Sequence, residues 1–98
     1  MEENNTTNDN TVFIGQKPFM NYVTGVVMQF TTLGNKEVIV KARGKFISKA
    51  VDVTEVARKR FLENNVVPYN ISIDSEEFTN REGKKVRVST IEIFLRKR

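Results

Sequence analysis

The stretch Val38-Ile-Val-Lys-Ala-Arg-Gly-Lys-Phe-Ile-Ser-Lys-Ala-Val-Asp52 constrains this chain more than any other. Val38 to Val40 are β-branched and apolar, which marks a strand. The lack of a polar interruption predicts that this strand is central and covered on both faces. Gly44 breaks the run, and apolar residues at three- and four-residue steps after it mark a helix. Arg43, Lys45 and Lys49 crowd the start of that helix, where the backbone dipole is already positive. Cations placed against the dipole suggest an anionic partner. Free N–H groups beside Arg and Lys at a strand-to-helix turn suit a phosphate. A solvated basic loop is the alternative reading.

The preceding residues repeat the arrangement. Thr11-Val-Phe-Ile-Gly15 reads as a short buried strand, and Gly15-Gln-Lys-Pro18 as a turn whose proline suits the first position of a helix. Phe19, Tyr22, Val23, Val26, Val27, Phe30 and Leu33 share one helical face, closed by Gly34 as a C-cap. Gly25 within it predicts the close approach of a neighbouring element. With Glu37–Ala42 as the next strand, the order strand, helix, strand predicts a parallel, right-handed crossover. The carboxyl ends of both strands then share one edge of the sheet, where open α/β sheets bind ligands. Lys17, Arg43 and Lys45 should form one patch there, with Lys41 leaning toward it.

The second helix is expected over Phe46–Leu62, with Ile47, Ala50, Val51, Thr54, Ala57 and Phe61 on one face and Val53 and Val56 widening it. Arg58, Lys59 and Arg60 fall in its last turn, where the dipole favours cations. A third strand runs from Val66 to Phe78 with Tyr69, Ile71 and Ile73 alternating, and Pro68 predicts that its beginning is an edge or irregular. In a fourth strand, Val86–Arg96, Ile91, Ile93 and Leu95 face one way and Val88, Thr90 and Glu92 the other. The polar link 79–85 is a hairpin tip. Its outer half carries Arg81, Lys84, Lys85 and Arg87 and little to pack on a body, so it should project as an arm suited to phosphates or a minor groove. A charged tip that keeps the edge soluble is the alternative.

The chain has 98 residues, enough for one domain that buries only part of its surface unless it pairs with another copy. Residues 1–10 are polar and acidic and read as a disordered tail, leaving 11–98 as the domain. All sixteen Lys and Arg but nine of the twelve acids lie in 11–98, a balance of +7 that favours a nucleic-acid partner. There is no cysteine and no histidine, which excludes disulfides, thiolate metal sites and histidine-dependent hydrolysis. No paired acidic motif, phosphate-cradling glycine loop, internal repeat or heptad series is present. No enzyme activity and no cofactor are expected. Nor does any run approach the roughly 18 apolar residues that span a bilayer, so a soluble, cytoplasmic protein with no membrane partner is expected. Phe13, Phe19, Phe30 and Phe46 read as core residues rather than stacking platforms, and surface aromatic pairs are not evident.

Several blocks together resemble a known family: Ile14-Gly-Gln-Lys-Pro-Phe-Met-Asn-Tyr-Val23, Lys41–Asp52, Arg60-Phe-Leu62 and Arg87-Val-Ser-Thr-Ile-Glu-Ile93 look like the Alba family of small archaeal chromatin proteins. The resemblance implies an α/β chain, more fully an α+β two-layer sandwich of order β-α-β-α-β-β with a long hairpin. This fold is similar to the C-terminal domain of bacterial translation initiation factor three. It also implies a homodimer that binds double-stranded DNA with little sequence specificity and coats or compacts it at the chromosome. Nucleic-acid contacts then fall to Gln16, Lys17, Lys41, Arg43 and Lys45 on the body and Arg81, Lys84, Lys85 and Arg87 on the arm. Phe61 would join neighbouring dimers along DNA. The family pattern has two lysines after the glycine, and the first, an acetylation site, is Gln16 here. With fewer phosphates neutralised, binding weaker than in a two-lysine relative is expected. Structured RNA is the alternative ligand, and a specialised paralogue with weak or sequence-selective DNA binding, or a protein-interaction module, are the other readings.

Overall fold

The computed structural model describes residues 10–98. The expected polar tail lies outside the described residues except for Asn10. Its carbonyl accepts from the Ile39 N–H at 2.9 Å, and its Nδ2 donates to the Glu37 carbonyl at 2.9 Å.

Strand β1 (Thr11–Phe13) runs parallel to β2 (Glu37–Arg43), with Val12 opposite Val40, and helix α1 (Phe19–Thr31) makes the crossover between them. Beyond β2, a 3-10 turn (Gly44–Phe46) opens helix α2 (Ile47–Val56), which ends in a π-helical turn (Ala57–Phe61) before the hairpin of β3 (Val66–Thr79) and β4 (Lys85–Lys97). The sheet order is β1-β2-β4-β3, so β4 enters antiparallel between β2 and β3. Both crossovers step in the same direction along the sheet. Two right-handed steps in one direction put both helices on the same face, which leaves the other face open.

That layering overturns one expectation. Val38, Val40 and Ala42 are buried beneath the helices, but Ile39 and Lys41 are only half-buried on the open side. The apolar run is continuous because Ile39 packs within the sheet, flanked by Thr11 and Phe94, rather than under a second layer. β1 divides in the same way: Val12 and Ile14 turn inward, while Phe13, read from sequence as core, is 66% exposed.

α1 buries Val23, Val26 and Phe30. It unwinds at Gly34 (φ 69°), where the Asn35 N–H reaches the Gln29 carbonyl at 3.0 Å, a left-handed stop that glycine takes at little cost. Leu33 therefore lies past the last helical residue and is exposed instead of extending the buried face. Gly25 does not serve a close approach, since a Cβ there would meet nothing within 4 Å. In α2 the buried stripe is Ala50, Val53 and Thr54, continued by Ala57, and Val51 sits on its exposed shoulder. At the far end Leu62 takes the core position, with its N–H on the Ala57 carbonyl at 3.0 Å, and Phe61 is turned out to 51% exposure. The Arg58 side chain is largely buried at this end, its Nε donating to the Val66 carbonyl (3.0 Å) and Nη1 to Glu55 (2.7 Å), so it ties the helix to β3. Lys59 pairs with Glu55 at 3.6 Å. These cations serve the helix end, as their dipole-favoured positions suggest.

β3 is the edge strand that Pro68 predicts, with a register shift between Pro68 and Asn70. The extra residue swings Tyr69 onto the open face, its ring 6.1 Å from that of Phe94 and 4.6 Å from the Arg96 guanidinium. Ile71 and Ile73, expected to share a face with Tyr69, lie on the helix side opposite Ile93 and Ile91. α2 does not cover this edge, so Ile73 is 77% exposed. The 14 residues of β3, at about 3.3 Å each, span about 46 Å. This equals the longest dimension of the molecule, 46 Å against 29 and 22 Å, so the hairpin sets its length.

Because glycine costs about 1 kcal/mol relative to alanine inside a helix and the space at residue 25 is open, Gly25→Ala should stabilise the protein by about 0.5–1 kcal/mol. A denaturant melt that shows destabilisation would reveal a close partner at this position.

Candidate nucleic-acid interface

The two β-to-α turns meet at the carboxyl edge of β1 and β2. In the first, the Lys17 N–H donates to the Tyr22 hydroxyl at 3.1 Å. A Cβ on Gly15 would come within 3.3 Å of that hydroxyl, so glycine gives Tyr22 its room. In the second, Gly44 takes φ 58°, a value that side-chain-bearing residues adopt only at a cost, and thereby turns the chain from β2 into its helix. Lys49 joins the two. Its Nζ donates to the Gly15 and Lys17 carbonyls, each at 2.7 Å, and lies 5.0 Å from the Tyr22 ring centroid and 5.9 Å from that of Phe46. Lys45 Nζ lies 5.4 Å from the same Phe46 ring. Phe46, expected in the core, is half-buried between core and lysines, as Phe19 is half-buried at the start of α1; Phe30 is buried outright.

The expected body cations thus divide in two. Lys17 and Lys45 are exposed at the edge and, among the described residues, have no acidic side chain within ion-pair distance. Gln16 is exposed beside Lys17. Lys41 and Arg43 point instead onto the open face. Lys41 pairs with Glu92 at 2.9 Å and lies 5.6 Å from the Phe13 ring, while Arg43 reaches Glu76 at 3.6 Å. These pairs line a hollow of about 300 Å³ together with Ser72, Asp74 and Thr90. Ion pairs this exposed contribute about 0–1 kcal/mol each, so neither locks its cation away from a competing anion.

On the arm, Asn80 builds the tip. Its Oδ1 accepts from the N–H groups of Glu82 (2.9 Å) and Lys84 (3.0 Å), its own N–H donates to the Lys84 carbonyl (2.8 Å), and Gly83 supplies φ 82°. Arg81 and Lys84 sit in this tip, and Lys85 follows at the first position of β4. All three are exposed and without acidic partners among the described residues. Arg87 differs, reaching Glu77 Oε2 and Ser75 Oγ across the hairpin, both at 3.3 Å.

Sequence reasoning missed three features. The Lys49 tether spans more than thirty residues and has no local signal. Glu76 and Glu92 become partners of Arg43 and Lys41 only once β4 is known to enter beside β2, although Glu92 stands directly opposite Lys41. The Tyr69, Phe94 and Arg96 cluster depends on the register shift. No helix among the described residues is long and apolar enough to cross a membrane.

Comparison with known proteins agrees with this architecture. The Alba family model matches residues 10–75. A DNA/RNA-binding protein Alba from Methanocella arvoryzae is 51% identical over 89 residues, covering 91% of each chain. Its namesake from Nanoarchaeum equitans is 57% identical over 88 residues, covering 89% of this chain and 97% of the relative. Among solved structures, Alba from Thermoplasma volcanium superposes with a TM-score of 0.82 at 44% identity, over 90% of this chain and all of the other. These relatives are named for nucleic-acid binding and for no catalytic activity. With its two helices layered on one face of a four-stranded mixed sheet and its long hairpin, this chain belongs to the Alba family.

Proposed function

We propose that this protein binds double-stranded DNA as a homodimer, mainly through phosphate contacts with little sequence specificity, and coats or compacts the chromosome. The observation that carries the reading is the carboxyl-edge surface, where Lys17 and Lys45 stand free of acidic partners among the described residues at two adjoining turns. A long arm bearing Arg81, Lys84 and Lys85 at its far end extends the same chemistry. Cations on backbone turns and a tip suit phosphates, contacts that position a protein on a duplex without reading its bases. The names of the relatives, DNA/RNA-binding, support nucleic acid as the ligand class and keep structured RNA as the second reading. Phosphate chemistry alone does not separate the two.

The homodimer rests on the apolar strip of Ile71, Ile73 and Val51, which a lone protomer leaves in water on the helix side. A second copy seated there would remove it from solvent, and exposed Phe61 is free to join successive dimers. Carried into solution, Ile73→Glu should place a charge in that interface and shift sedimentation from dimer to monomer. A wild-type monomer at micromolar concentration would refute the assembly.

Lys17→Ala and Lys45→Ala should each weaken duplex binding on every sequence alike. Each should also flatten the plot of log affinity against log salt by about 0.9 for every phosphate that is no longer neutralised. Competition between mixed-sequence duplex DNA and structured RNA across the salt series checks this and assigns the ligand; a loss confined to one sequence contradicts phosphate-dominated binding. Gln16 leaves each protomer one cation short at the exposed turn. Gln16→Lys should accordingly tighten binding several-fold at low salt and steepen its salt dependence. Unchanged affinity would show that the side chain at position 16 does not face the phosphates.

A further inference from the structure

We infer that Lys49 is a positioning residue, which fixes the Gly15–Pro18 turn so that the backbone N–H of Gln16 is presented to a phosphate. This rests on the phosphate-binding reading above and adds a main-chain ligand to it. Lys49 carries a charge in the basic region, yet its geometry is that of a tether. Two of its three donors are committed to main-chain carbonyls at 2.7 Å, and the ammonium lies 5.0 and 5.9 Å from the Tyr22 and Phe46 ring centroids. A strongly hydrated ammonium held in this way has little left to offer a phosphate.

The tether dictates the direction of the turn's peptides. No peptide bond among the described residues is cis, and in a trans peptide the C=O and the following N–H point opposite ways. The Gly15 carbonyl points at Lys49, so the Gln16 N–H points away from it. The Lys17 carbonyl also points at Lys49, and the next residue, Pro18, has no N–H to present. The Lys17 N–H is occupied by the Tyr22 hydroxyl. Gln16 is exposed and its N–H is received by no acceptor among the described residues, so it supplies a free donor at this turn. Such a donor works whatever side chain residue 16 carries, which is how the turn could bind an anion with glutamine there. Hydrogen bonds to charged groups are the stronger kind, so its loss is measurable.

The test compares wild type with Lys49→Met, which keeps an unbranched side chain one atom shorter and removes its donors. Tyr22→Phe serves as a milder second variant that frees the Lys17 N–H and leaves the ring in place. Amide exchange and backbone NMR on the free protein and on a titration with a short mixed-sequence DNA duplex give the readouts. In wild type the Gln16 amide should shift among the most on adding duplex. In Lys49→Met the Lys17 amide should lose protection and the Gln16 shift should collapse. Affinity should fall about threefold to tenfold with an unchanged salt slope, and Tyr22→Phe should move the same readouts less. A salt slope flattened by about 0.9 would make Lys49 itself a phosphate ligand and overturn the inference. Wild-type binding that Lys49→Met leaves unaltered, Gln16 shift included, overturns this inference alone. A wild-type protein with no salt-sensitive duplex binding overturns the parent function as well, and amide exchange in the free protein then shows whether the tether itself exists.

Discussion

The parallel pairing of β1 with β2 is the contact on which the rest of this molecule depends. It requires a crossover, and the right-handed twist of the chain makes that crossover right-handed. With the second crossover stepping the same way, both helices are committed to one face and the turns that follow β1 and β2 to one edge. The basic edge follows from this topology: an antiparallel pairing of the same strands would place Lys17 and Lys45 at opposite ends of the sheet. Lys49 then fastens what the topology has brought together, since the two turns share no backbone hydrogen bond beyond the Ile14 N–H on the Lys41 carbonyl at 2.9 Å.

Leaving one face of the sheet uncovered has an electrostatic cost and use. Lys41 and Arg43 leave the helix-covered side at alternate positions of β2 and find Glu92 and Glu76 on the open face. Each pair is exposed enough that water screens it, and a phosphate brought near Lys17 and Lys45 competes on nearly equal terms for these cations. The net surplus of the domain already counts these paired cations as cancelled, so it understates the cations that a ligand can recruit.

Much of this was legible in sequence, and the misses share a cause. The number, type and order of the elements follow from periods of two and 3.6, and the positive-φ glycines Gly34 and Gly44 fall where those periods break. The residue types of the interface were legible because charge is not hidden by folding. What periodicity does not carry is lateral order. That both crossovers step the same way leaves Phe13 and Ile39 on an open face, and that β4 inserts between β2 and β3 decides which acids meet Lys41 and Arg43. A single inserted residue at Tyr69 reverses the expected company of Ile71 and Ile73. Glycine in a helix interior signals a packing device, yet the surroundings of Gly25 are open.

The arm resolves two opposed demands. β3 is a long edge strand with unpaired backbone groups along one side, the kind of edge that pairs with stray strands unless charge or covering prevents it. Asp74, Glu76 and Glu77 lie midway along it and oppose such pairing. The same carboxylates would repel a phosphate backbone lying along the shaft, where Arg87 pairs with Glu77 and Arg43 reaches Glu76. Cations without an acidic partner among the described residues stand at the tip, as Arg81, Lys84 and Lys85, and at the turns at the base, as Lys17 and Lys45. A shaft that bears Asp74, Glu76 and Glu77 against Arg87 separates the two, and its length and the Asn80 turn at the tip set their spacing. Because little of this has to become ordered on binding, the spacing under the proposed reading favours a stiff, regular polyanion, which reaches both ends at once, over a compact anion, which reaches only one.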